Sequence, residues 1–215
     1  MNYEDVLSER VQSIQPSGIR RFFDLASEVE GVISLGVGEP DFSTPWHICD
    51  AAIYSIESGK THYTANQGLF ELRKEICSYY QRRFHIEYDP NENVIVTVGG
   101  SEGIDIALRA LVIVMNPSYV AYTPGITLSG GVSVPIELRQ ENDFKLLPQD
   151  LEKAISEKTK VLLINFPCNP TGGVMSHEDY AKLVPIIKKH QLIVISDEIY
   201  AELTYDGKFA SLAQF

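Results

Sequence analysis

The sequence predicts an α/β fold built on a mostly parallel sheet. Two observations carry this prediction. Three short apolar runs, Val94–Val98, Lys160–Phe166 and Leu192–Ile195, are of the kind that forms strands buried on both faces. Segments with helical periodicity or capping signals lie between them. Such alternation means parallel strands joined by right-handed helical crossovers.

The elements follow in order. A helical stretch is expected around Ile19 to Val29, after Pro16-Ser17-Gly18. Val32–Leu35 reads as a short strand that runs into the turn-rich Gly36-Val37-Gly38-Glu39-Pro40-Asp41. Ser43-Thr44-Pro45 reads as a helix start, because proline's missing N–H costs nothing near the first helical position. Leu69, Leu72, Ile76, Tyr79 or Tyr80, and Arg83/Phe84 mark an amphipathic helix. Val94–Val98 should pass through Gly99-Gly100-Ser101 into a helix from about Glu102 to Leu111. Val112–Met115 then reads as a strand, with nothing between Leu111 and Val112 to turn the chain. A helix-to-strand connection normally takes about 2–6 residues. Residues are therefore expected to be missing between 111 and 112, the rival being one continuous helix over 102–115. Ser176 and Asp179 have the spacing of a capping pair, opening a helix that runs to about His190. The Leu192–Ile195 strand follows.

Composition excludes several classes. At 215 residues the chain is long enough for one large domain or somewhat more. Its hydrophobic content of 44% and charged content of 22% are ordinary for a globular protein. A net charge of −11 argues against nucleic acid or an anionic membrane as partner. Cys49, Cys77 and Cys168 are few and scattered, which fits a reducing compartment and no metal knuckle. The acidic, polar Met1–Arg10 is not a signal peptide, and no run approaches the roughly 20 apolar residues of a spanning helix. A cytoplasmic location is the expectation.

The most informative stretch is Ser196-Asp197-Glu198-Ile199-Tyr200, at the carboxyl end of an apolar run. Ligands of open α/β sheets bind at that end. An acid placed there is costly unless paired, so Asp197 reads as a carboxylate waiting for a cation: a ligand nitrogen, or a structural arginine. Val98-Gly99-Gly100-Ser101-Glu102-Gly103 leads from strand to helix through small residues. It either presents free amides and a helix dipole to a phosphate or is simply a tight turn. Its spacing is neither the P-loop nor the dinucleotide pattern. Asn165-Phe166-Pro167-Cys168-Asn169-Pro170-Thr171-Gly172 makes a rigid loop with amide donors, more specific than an ordinary Pro/Asn turn. Tyr119, just beyond a strand end, stacks on a flat ring or packs as an ordinary tyrosine. One ligand suits all four features: a phosphorylated pyridine with a ring hydroxyl, pyridoxal 5′-phosphate.

The sequence resembles the class I/II aminotransferases, fold-type I among pyridoxal-phosphate enzymes. The matching strings are Ser34-Leu35-Gly36-Val37-Gly38-Glu39-Pro40-Asp41-Phe42, Thr61-His62-Tyr63-Thr64, the Gly-Gly-Ser-Glu-Gly turn, Asn169-Pro170-Thr171-Gly172 and Ser196–Tyr200. They run in the family's order from about residue 17 to Tyr205. The resemblance implies a three-layer α/β sandwich, with residues 1–44 forming an N-terminal segment and part of a small domain, and 45–215 a large cofactor domain. It implies that Gly100, Ser101 and Glu102 offer backbone amides to the phosphate and that Tyr119 stacks on the ring. Asn169 and Tyr200 would hydrogen-bond the ring's 3′-oxygen, and Asp197 would hold the pyridinium proton. Tyr63 would reach the phosphate of a neighbouring subunit in a homodimer with shared sites. Gly38 would lie in the loop that meets the substrate carboxylate. Ser55, His62 and His177 receive no role.

The family's Schiff-base lysine sits in a Ser-x-x-Lys setting that this chain does not contain. That lysine, and the arginine that grips the substrate α-carboxylate, are expected beyond Phe215. The chain alone is then expected to be an inactive N-terminal portion with incomplete large-domain strands, an open sheet edge and a tendency to aggregate. The implied reaction moves an amino group from an amino acid to a 2-oxo acid, with substrates of the aspartate, aromatic or diaminopimelate type. Alternatives are a C–S lyase of the same fold and a non-catalytic cofactor-binding domain.

Overall fold

The computed structural model describes residues 7–14, 25, 29–31, 33, 42–108, 114–205 and 207–215. The chain divides into two units, Gln15–Asn66 and the remainder. The expected helix near Ile19, the Val32–Leu35 strand, the Gly38 turn and the 111/112 junction lie wholly or largely outside the described residues.

The larger unit begins with a single turn, α1 (Glu9–Gln12), whose N-cap Ser8 accepts a hydrogen bond from the Val11 amide. The smaller unit holds α2 (Trp46–Glu57), which starts directly after Pro45 as the sequence predicts. None of its residues is buried.

In the larger unit, α3 (Phe70–Phe84) buries Arg73, Cys77 and Phe84, a spacing that keeps them on one helical face. It ends at His85, in the left-handed conformation common at helix C-termini. Next come α4 (Gly99–Leu108), β1 (Val114–Asn116), α5 (Tyr122–Leu128), β2 (Pro135–Glu137) and α6 (Pro148–Ala154). The order closes with β3 (Val161–Asn165), α7 (His177–Lys189) and β4 (Ile193–Asp197).

The strands pair in parallel, as expected. β1 pairs with β2 and β3 with β4. Parallel neighbours need a crossover, and α5 and α7 lie on these two connections. All five residues of β3 are buried, and its side-chain alternation divides them between two cores. Leu162 and Ile164 pack with Tyr180 and Leu183 of α7. Val161 and Leu163 pack with Leu108, Tyr122 and Ile126. Helices on both faces are what a continuous apolar strand requires. Helix α7 opens with the expected capping box: Ser176 Oγ accepts from the Asp179 amide and Asp179 Oδ2 from the Ser176 amide.

Two expectations are corrected. Val94–Val98 is not a strand; its backbone link to another segment is Val96 N–H to Gln67 O, 3.0 Å. A strand is defined by its ladder, and among the described residues no segment pairs with this one. The Leu192–Ile195 run is a strand but is not buried on both faces. Leu192 is buried, whereas Ile193 is 63% exposed. β4 is an edge strand, with β3 on one side and no second neighbour among the described residues. Four short elements, α1, α5, β2 and α6, go beyond the sequence expectation. In α5 the Pro124-Gly125 pair reads as a helix breaker. A Cβ at Gly125 would stand 2.7 Å from Leu108 Cδ1, so any larger residue there requires that side chain to shift.

Candidate active site

The pairing of β3 with β4 sets Asn165 directly opposite Asp197, both at the carboxyl ends of their strands. Asn165 is almost wholly buried, so both ends of its amide need partners. Its Nδ2 donates to the Asp197 backbone carbonyl at 3.0 Å, and its Oδ1 accepts from the Asn169 amide at 2.9 Å. One side chain thus ties the end of β4 to the loop after β3. Asn169 reaches back across the gap, its Nδ2 donating to Tyr200 Oη at 3.3 Å.

Asp197 is held at both oxygens. Tyr122 Oη donates to Oδ2 at 2.7 Å, and the Ile199 amide donates to Oδ1 at 3.1 Å. Each carboxylate oxygen keeps a lone pair for another donor. Among the described residues, no lysine or arginine pairs with Asp197. Tyr122 has no exposed surface. Burial, followed by the carboxylate beside it, pushes its phenol far above the ordinary range, so it remains a donor. Tyr119 meets Tyr122 edge-on, with ring centroids 5.6 Å apart.

The start of α4 forms another wall. Helix geometry leaves the amides of its first turn without intrahelical acceptors. Glu102 Oε2 takes the Val98 amide at 2.5 Å, and the Gly99 amide bonds Thr97 O at 2.9 Å. The exposed Gly100 and Ser101 amides remain at the helix mouth.

These groups line one cleft of about 670 Å³. Of the residues singled out in the sequence, Gly100, Ser101, Tyr119, Asn169, Asp197 and Tyr200 are brought together there. Glu102 does not line it and turns its side chain to its own helix start. Tyr63 belongs to the other unit, where its side chain is fully exposed. Gly38 lies outside the described residues. Sequence reasoning gave no site role to Tyr122, Glu198 or Tyr80, which also line the cleft, and it read Asn165 only as one amide donor of the loop after β3. Only the fold shows what Tyr122 and Asn165 touch.

A family model described as aminotransferase class I and II matches residues 30–215. The chain belongs to the class I and II aminotransferases. It is 51% identical over 213 residues to a Bacillus subtilis (strain 168) protein named "Putative aminotransferase YugH", covering 96% of this chain and 55% of that one. It is 42% identical over 206 residues to an aspartate aminotransferase of Pyrococcus abyssi, covering 93% of this chain and 53% of that one. Among solved structures, the aspartate aminotransferase of Thermus thermophilus with maleate superposes with a TM-score of 0.90 at 36% identity, over 97% of this chain and 57% of that one. The chain spans about half the length of these aminotransferases.

The donor set of the cleft suits pyridoxal 5′-phosphate. The amides at the mouth of α4 suit a phosphate, and the spare lone pairs of Asp197 suit a protonated ring nitrogen. The Asn169–Tyr200 pair suits a ring oxygen. Among the described residues, none of those lining the cleft is Lys, Arg or His. No group of three or more His, Cys, Asp or Glu among the described residues is arranged to hold a metal ion. No described helix is long and apolar enough to cross a membrane.

Proposed function

We propose that this chain forms the cofactor-binding portion of a pyridoxal 5′-phosphate-dependent aminotransferase. The observation that carries the reading is Asp197, fixed at both oxygens in a cleft it shares with the Asn169–Tyr200 pair and the mouth of α4. Family membership supplies the reaction class. When bound, the cofactor supplies an electron sink for the electrons released at the amino acid's Cα. Asp197 would keep the ring nitrogen protonated by direct charge pairing. Tyr122, a neutral donor, would orient that carboxylate. Asn169 and Tyr200 would share the ring's 3′-oxygen, and Tyr119 would stack on the ring. The amides of Gly100 and Ser101 would bind the phosphate, with Glu102 shaping the helix start.

On this reading the substrates are an amino acid and a 2-oxo acid, and the aspartate and aromatic types come first because relatives carry those names. Gly38 meets the substrate carboxylate, and Tyr63 serves the phosphate of a partner subunit in a cytoplasmic homodimer. Residues 1–44 belong with a small domain and 45–215 with the large one. The test is twofold. Pyridoxal 5′-phosphate is titrated into the chain, and exchange between aspartate or an aromatic amino acid and 2-oxoglutarate is followed in the intact protein. Saturable binding and keto-acid exchange are expected. Ammonia release without exchange would instead mean a lyase.

A further inference from the structure

Glu198 has no part in the reading above, yet it is the most heavily tethered group at the cleft. Glu198 directly follows the last residue of β4 and lines the cleft beside Asp197. Its Oε1 accepts from Ser196 Oγ at 2.9 Å and from Ser211 Oγ at 2.8 Å. The Leu212 amide also donates to this carboxylate. Ser211 has no exposed surface, so no solvent offers its hydroxyl an alternative. Ser211 is itself locked into a short 3₁₀ turn, Leu212–Gln214. Its Oγ accepts from the Ala213 amide at 3.2 Å, and its amide donates to Gln214 Oε1 at 3.0 Å. Phe215, at the end of that turn, stacks against His177 of α7 with centroids 4.4 Å apart. The turn is therefore anchored to the body of the unit, and Glu198 is anchored to the turn.

Asp197 is thus held by two connections: Tyr122 bonds its carboxylate, and Glu198, the next residue, ties the adjoining backbone to the turn. We propose that Glu198 is a positioning residue, which through Ser211 locks the strand end that presents Asp197 and Tyr200 to the cleft. This rests on the functional reading above for its consequence, but the lock itself does not depend on it.

The experiment has two arms, both on the full chain. The first is amide hydrogen exchange without cofactor, read at Ile199, whose N–H is held by Asp197 Oδ1. Glu198→Ala and Ser211→Ala should each speed that exchange about tenfold, the effect of losing one buried hydrogen bond. The effects should not add in the double variant, because Glu198→Ala already breaks the connection to Ser211. Glu198→Gln, which keeps an acceptor oxygen for both serines, should restore protection. The second arm titrates pyridoxal 5′-phosphate, whose affinity should fall in the two alanine variants and recover in Glu198→Gln. Unchanged Ile199 exchange in Glu198→Ala, or additive effects in the double variant, overturns the lock. An intact exchange pattern in an unmodified chain that does not take up the cofactor overturns the functional reading and leaves the lock standing.

Discussion

Tyr122 Oη donates a hydrogen bond of 2.7 Å to Asp197 Oδ2, joining the first residue of α5 to the last residue of β4. The two lie 75 positions apart in the chain. Tyr122→Phe keeps the packed ring and removes only the hydroxyl. A buried hydrogen bond to a charged group contributes about 1.5–3 kcal/mol. Affinity for pyridoxal 5′-phosphate should therefore fall about tenfold or more, and the urea midpoint of unfolding should fall as well, because the same bond stabilises the fold.

Asn165 should matter to stability more than its neighbour Asn169. Asn165→Ala strands two backbone groups, the Asp197 carbonyl and the Asn169 amide, in a buried place. Each such group costs about 1–3 kcal/mol. Asn169→Ala removes one half-exposed bond to Tyr200. Urea denaturation should show a clear drop for Asn165→Ala and a small one for Asn169→Ala, while cofactor affinity falls in both.

Asp179 gives the fold a pH dependence. Burial pushes its carboxyl upward, but the bonds from Lys145 and Ser176 outweigh this and hold it below the ordinary aspartate range. A carboxylate with a lowered folded value stabilises above its unfolded value of about 3.9 and loses that contribution as pH falls through the folded one. The denaturation midpoint should drop on acidification below about pH 4, and Asp179→Asn should flatten that part of the profile. Ser176→Ala, which removes the cap, should cost about 1 kcal/mol at neutral pH.

The open edge of β4 makes its own prediction. Ile193 is 63% exposed on a strand with one neighbour. An exposed apolar edge is a template for pairing with another chain, and a lysine blunts it. Ile193→Lys should lower concentration-dependent association in sedimentation velocity and leave the unfolding midpoint nearly unchanged. Equal association of the two proteins would show that the edge is not responsible.

Much of this was legible before the fold. An apolar run located β3, periodicity located α3, and the Ser176–Asp179 spacing located α7. The Asp197 and Asn169 strings marked the cleft because carboxylates and amides at strand ends are costly without a purpose. What was hidden depended on tertiary company. Val94–Val98 has strand composition, but pairing requires a neighbour. Tyr122 is one of 11 tyrosines, and nothing in its local pattern points to an acid 75 residues away. Glu198 sits beside Asp197 in sequence, yet its partner Ser211 lies across a turn that sequence patterns leave unmarked.

The most direct test is equilibrium titration of pyridoxal 5′-phosphate into the chain and into Asp197→Asn. Asparagine can still accept from Tyr122, so the cleft keeps its shape while losing the charge. The account predicts saturable binding to the unmodified chain, at least about tenfold weaker in Asp197→Asn, as expected for removing a charge-assisted contact. Equal affinity in the two proteins, or no binding to the unmodified chain, would contradict it.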